Sequence, residues 1–118
     1  MYVNENDYKQ ASERDKNVRS RILFVANQLM VGQLGVIAAS RELSHLRHDA
    51  DPEAAELLLT FAGIDSETDA LPIGKVRNEW NREALKSKDI EIAEAEQFYR
   101  VSAMNAAAEL IRLLDEPS

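Results

Sequence analysis

The run REALKSKDIEIAEAEQFYRVSAMNAAAELIRLL, residues 82–114, decides the fold. It holds no glycine or proline, and Leu85, Ile92, Tyr99, Ala106 and Leu113 recur at a spacing of seven, with Ala95, Ser102 and Leu110 on the alternate turns. That spacing keeps one face of an α-helix apolar along its length. The pattern predicts one long helix over 82–114, opened by Asn81, whose short amide side chain can accept from the free N–H groups of a first turn. Such a seam has to be buried against other helices, either of the same chain or of a second copy.

Upstream, glycines and prolines are few enough to mark every break. Ile64-Asp-Ser-Glu-Thr-Asp-Ala-Leu-Pro-Ile-Gly74 crowds Asp, Ser, Pro and Gly together. It is predicted as an acidic loop, long for a helical domain, followed by a helical turn over Val76 to Trp80. Before it, Ala54, Leu57, Leu58 and Phe61 mark a short helix that starts at Asp51-Pro52 and ends at Gly63. Asp51 is its expected N-cap, Pro52 its first residue, and Glu53 adds favourable charge to the first turn. Val36, Ala39, Leu43 and Leu46 mark a helix from Leu34 to Arg47. Gly32 and Gly35 separate it from a long first helix, Asp7 to Met30, with the stripe Val18, Ile22, Val25 and Leu29. Alternating β-branched runs are nearly absent. The expectation is an all-α, single-domain bundle over residues 1–118. It has four to five helices, the N-terminal and C-terminal ones long, and frayed tails at 1–6 and 115–118.

A chain of 118 residues, 45% hydrophobic and 30% charged, suits one globular domain with one core. The absence of cysteine excludes a disulfide framework, thiol catalysis and thiolate metal sites. A net charge of −7 argues against nucleic acid as the main ligand, because phosphates need a basic face. Arg14, Lys16, Arg19 and Arg21 form the one basic run, and Glu13 and Asp15 interleave it, so it reads as a solvated helix face. The polar start, Met1 to Gln10, reads as no secretory signal. Asn27, Gln28, Gly32, Gln33 and Gly35 break the apolar-rich stretch Ile22 to Ala39, which is too polar to span a membrane. The expected location is the cytoplasm.

Candidate sites are few. Glu42-x-x-His45-x-x-His48 has the spacing of half a di-iron motif, but no second Glu-x-x-His accompanies it. On a wheel of about 100° per residue from Leu43, His45 falls at about 200° and His48 at about 140°, opposite the apolar stripe. A surface histidine pair near a helix C-terminus is the simpler reading. Asp65, Glu67 and Asp69 have the spacing of the first ligands of a calcium loop, yet Ala70 and Val76 stand where such a loop needs Gly and a bidentate Glu. An ordered loop is therefore its first reading, with Asx- and ST-turn bonds from Ser66, Thr68 and Asp69 and anchors at Ile64, Leu71 and Ile73. Contact with a partner is its second. Trp80 reads as a core anchor first and an interface residue second. Glu91, Glu94 and Glu96 read as the wet face of the last helix. Gly32-x-x-Gly35 lacks the lysine and strand of a phosphate loop, and no nucleophile elbow is present.

The segment from Phe61 to Gly74 resembles a family of short bacterial all-helical proteins that carry an I-D-S-E-T-D-x-L-P-x-G loop. Val76-Arg77, Trp80, Ala84-Leu85, Lys88-Asp89, Ala93 to Glu96 and Phe98 to Arg100 share in the likeness. Ser40 to Leu43 and Leu46 to His48 fit the same pattern, so it covers the chain from about Gly35 to Arg100. The family pattern carries histidine where this chain has Ala70, so any ligand role of that position is lost here. No activity is established for that family. The resemblance implies a small helical fold and a bacterial source. More loosely, small acidic proteins of this kind look like the immunity genes carried beside toxin genes.

The functional expectation is thus a non-catalytic, cofactor-free protein-binding module. Most concretely it is an immunity or antitoxin-like inhibitor of a basic bacterial toxin, touching it through Asp65, Glu67, Asp69 and Trp80. One alternative is a homodimeric structural or regulatory protein pairing through the last helix. The other is a metal-dependent enzyme using Glu42, His45 and His48.

Overall fold

An apolar seam needs partners, and here it finds them within its own chain. The computed structural model describes the backbone of residues 5–115 and the side chains of Glu13 and of 15–115. Among these residues there are four α-helices and no strand: α1 (Glu5–Met30), α2 (Val36–Leu46), α3 (Pro52–Thr68) and α4 (Arg82–Leu114). Two 3-10 segments, Arg47–Asp49 and Gly74–Glu79, lie in the connections. The expected all-α bundle with long first and last helices is the fold observed. Of the expected tails, 1–4 and 116–118 lie outside the described residues, whereas Glu5 and Asn6 belong to α1.

The helices run alternately up and down. Val36, at the start of α2, lies against Glu96 of α4. Pro52, at the start of α3, lies beside Leu113, and Thr68 at its end lies beside Lys88 and Glu91. Val18 and Ile22 of α1 meet Leu114. The molecule is elongated, 59 × 28 × 21 Å, as it must be when α4 alone spans about 50 Å at ~1.5 Å per residue.

The core is built from Ile22, Val25 and Leu29 of α1, Val36, Ala39 and Leu43 of α2, Ala54, Leu58 and Phe61 of α3, and the C-terminal half of α4. There Ala103, Ala106, Ala107, Leu110 and Leu114 are buried, and Tyr99 and Leu113 pack against them. The small alanines let neighbouring helices approach, since interaxial distance depends on the side chains at the contact. Leu85, Ile92 and Ala95, earlier in the same seam, are only half-buried, and Ser102 is exposed.

The main correction concerns Ile64 to Gly74. The helix expected to stop at Gly63 continues to Thr68, so the irregular part shrinks to 69–73. Glycine inside a helix costs about 1 kcal/mol relative to alanine. Burying Ile64 returns about 1.5–3 kcal/mol, so the tertiary contact outweighs the local preference. The Thr68 hydroxyl donates to the Ile64 carbonyl at 2.7 Å, a bond that runs back along the helix rather than closing a turn. Ser66 and Asp69 make no side-chain hydrogen bond among the described residues. Ile64 and Pro72 are buried while Leu71 and Ile73 are half-buried, so the segment is anchored as expected.

Caps divide between local and distant acceptors. The Asn81 Oδ1 accepts from the Ala84 N–H at 2.7 Å, as its sequence position predicts. Asp51 makes no side-chain cap bond to α3, and its carboxylate lies 3.9 Å from Arg19 instead. The start of α2, expected at Leu34, comes at Val36 and has no local cap. Glu96 of α4 supplies one, accepting from Val36 N–H at 2.6 Å and Ile37 N–H at 3.3 Å.

A Cβ on Gly35 would stand 2.6 Å from the Glu96 Oε1. Gly35→Ala should therefore push the carboxylate off α2 and cost about 1 kcal/mol, the usual value of a lost N-cap. In a Glu96→Ala background the same change should be neutral or stabilise by about 0.4–1 kcal/mol, because the Gly35 φ of −73° suits alanine. Urea unfolding of the four chains measures this, and costs that simply add would refute the coupling.

Candidate functional site

Alternate residues on a helix lie about 200° apart, and this separates Glu67 from Asp65 and Asp69. Asp65 faces α2, where its Oδ1 is 3.8 Å from the Arg41 Nε. Glu67 is exposed beside α4, and Asp69 is the exposed C-cap of α3. The three expected contact residues therefore form no common surface. Arg41 also donates to the carbonyls of Thr68 at 2.7 Å and Leu71 at 2.8 Å. It thereby satisfies groups that a helix end leaves free. Trp80 closes the 3-10 segment half-buried and stands outside the core cluster, so it is not the core anchor expected.

A second arginine ties the connection to α4. Arg77 donates to the Pro72 carbonyl at 3.2 Å and, through both terminal nitrogens, to Asp89 at 2.7 and 3.2 Å. The hydrogen bond from Arg77 holds the Asp89 carboxyl below its ordinary value, against a smaller opposing effect of desolvation, and the guanidinium is raised in turn. This planar two-bond geometry fixes direction as well as distance. It secures the first turns of α4, which the core does not reach.

What these links position is a groove between the end of α3 and α4, about 490 Å³ in volume. Leu71, Ala95 and Tyr99 give it apolar surface, and Glu67, Glu91 and Glu94 give it acidic walls. Among the described residues its one cation is Lys88, 3.0 Å from Glu91. Phe98 stands at its edge, 78% exposed, with its ring edge-on to Tyr99 at 4.8 Å. The same two helices enclose a second open groove at the other end, about 610 Å³, between Pro52, Leu57 and Leu113. Glu53, Glu56 and Glu109 line it, and its one cation, Arg112, is 2.9 Å from Glu109.

Of the four residues expected to touch a partner, Asp65, Glu67, Asp69 and Trp80, only Glu67 lines this surface. Glu91 and Glu94 were legible as a wet face, but their approach to α3 was not. Phe98 had a signal, since an aromatic residue about 100° away from the seam residue Tyr99 has no place in the seam. The histidines stay apart from any acidic ligand set: His45 and His48 are exposed, and Glu42 pairs with Arg21 at 2.8 Å. Among the described residues, no three His, Cys, Asp or Glu side chains are grouped to hold a metal ion. No helix among them is long and apolar enough to cross a membrane. No family model matches the chain, and no curated protein or solved structure matches it either.

The depressed Asp89 carboxyl sets a pH dependence. The Arg77–Asp89 link is intact above the unfolded-chain value and is lost as pH falls through the lower, folded value. Trp80 emission should therefore change on acidification below the ordinary aspartate value of about 4. Asp89→Asn should show the acid-type emission already at neutral pH. An unaltered neutral spectrum in that variant would separate Trp80 from the link.

Proposed function

We propose that this chain is a non-catalytic protein-binding module that holds a basic protein on its α3–α4 face, most concretely as an immunity or antitoxin-like inhibitor of a basic toxin. One observation carries the reading: an almost fully solvated phenylalanine, Phe98, beside an apolar groove whose free charges are all acidic. Aromatic residues are enriched where proteins meet, and exposing one to water is unfavourable unless something covers it. The net charge of −7 supports a basic partner, since complementary charge raises the encounter rate and rejects acidic competitors. The acidic contact residues become Glu67, Glu91 and Glu94 in place of the expected trio, because Asp65 is engaged with Arg41.

A second reading is pairing of two copies along α4. The seam is used within the chain, but Ile90 and Val101 are exposed on the side of α4 away from the core. The like charge of two acidic chains opposes that pairing.

Co-expression with the product of the adjacent gene tests the first reading. Copurification of the two proteins and relief of growth inhibition are expected. Phe98→Ala combined with Glu94→Lys should weaken the complex by about 100-fold, the loss of one aromatic anchor and one charge contact. No complex and no protection would overturn it.

A further inference from the structure

The two grooves lie on one face. On α4, Ala95, Phe98, Ser102, Asn105 and Glu109 follow one another at steps of three and four, and on α3 so do Glu53, Glu56, Thr60, Gly63 and Glu67. Steps of that size keep residues on one side of a helix. Ser102 and Asn105 are exposed, and a Cβ on Gly63 would meet nothing within 4 Å. From Glu53 to Glu67 the face is about 21 Å long at ~1.5 Å per residue.

Its chemistry is the same at both ends. Leu57 and Leu113 form an apolar floor at one end, Leu71 and Ala95 at the other, with Phe98 rising beside it. The walls carry Glu53, Glu56 and Glu109 at one end and Glu67, Glu91 and Glu94 at the other. The two cations present, Lys88 and Arg112, are each paired with a glutamate of the same helix.

We propose that the α3–α4 face receives one basic amphipathic α-helix of a protein partner. That helix lays its apolar side along Leu57, Leu113 and Phe98 and sets lysines or arginines against the glutamates of both walls. The proposal rests on the protein-binding reading above and names the element that is bound. Three features select the occupant. A straight trough between two helices, about four turns long, has the shape that takes a helix by its i, i+3, i+4 and i+7 side chains. A peptide adding as a β-strand would need a free sheet edge, and no strand exists among the described residues. A second copy of this chain, with a net charge of −7, would bring acidic charge to an acidic trough.

The test is a titration of the isotopically labelled full chain, followed by NMR, with a synthetic leucine–lysine peptide of about 18 residues, long enough to form five turns. A scrambled peptide of equal composition, with no apolar stripe, serves as the control. Shifts are expected along the whole face, at Leu57, Gly63, Glu67, Phe98, Asn105 and Leu113. The control should bind at least about tenfold more weakly, and Phe98→Ala or Glu56→Lys should each weaken the helical peptide by about five- to tenfold. Both side chains are exposed, so an undisturbed spectrum of each free variant confirms that the fold is kept. Equal affinity for the two peptides, or shifts confined to one groove or to α1 and α2, would overturn the proposal. Capture of the adjacent gene product on this face without peptide binding would overturn the helical occupant while leaving the protein-binding reading intact. Peptide binding without any complex with that product would support the occupant and remove the inhibitor role. A free chain that dimerises with this face buried would overturn the proposal as well.

Discussion

The carboxylate of Glu96 reaches from the middle of α4 to the N-terminus of α2, and much of the rest follows from that contact. It accepts from the two backbone N–H groups of Val36 and Ile37, which no side chain near them in sequence could satisfy. Negative charge there also suits the helix dipole. Glycine at position 35 leaves room for that carboxylate, since a Cβ there would stand 2.6 Å from the Glu96 Oε1. With its start docked on α4, α2 presents Arg41 to the end of α3, where the guanidinium takes the Thr68 and Leu71 carbonyls. Those contacts set the path of the connection, from which Arg77 returns to Asp89 on α4. The polar links thus close a circuit: α4 to α2, α2 to α3, and the connection back to α4.

These links are not where most of the stability comes from. A cap contributes about 1 kcal/mol and an exposed ion pair less. Burying one side chain such as Phe61 or Leu110 contributes about 1.5–3 kcal/mol. The apolar core holds the four helices together, whereas the links choose their relative heights and shape the end of the molecule that the core leaves unfilled. The N-terminal part of α4 has little beneath it, so its position depends on Asp89 and on the half-buried Leu85 and Ile92.

The proposed binding surface is a consequence of that division. The large residues on the side of α4 away from its buried alanines, Ile90, Phe98 and Val101, are left in water. Because α3 runs on past Gly63, Glu67 stands beside α4 rather than on a free loop, and the glutamates of two helices face each other across one trough. Neither helix alone carries this arrangement. Among the described residues, no three His, Cys, Asp or Glu side chains on it are grouped to hold a metal ion.

Period and punctuation in the sequence were enough to determine the helices. The heptad of Leu85 to Leu113, the Asn81 cap and the Asp51-Pro52 start each express a local preference of the backbone, so α4 begins and ends where its residues say, and the all-α class follows. The composition likewise determined that thiol chemistry is absent. Tertiary structure decided what local preference could not. It carried α3 through Gly63 and four polar or acidic residues, because the burial of Ile64 and the arginine from α2 outweigh the cost of helix there. It replaced the expected Asp51 cap by a contact with Arg19, and it gave α2 a cap from sixty residues away. It also divided Asp65 from Glu67, since a spacing of two means one surface in an extended loop and opposite sides on a helix. The acidic stretch was legible as a segment, but which of its carboxylates face a partner depended on whether that segment was helix, and only packing against α2 and α4 settled this.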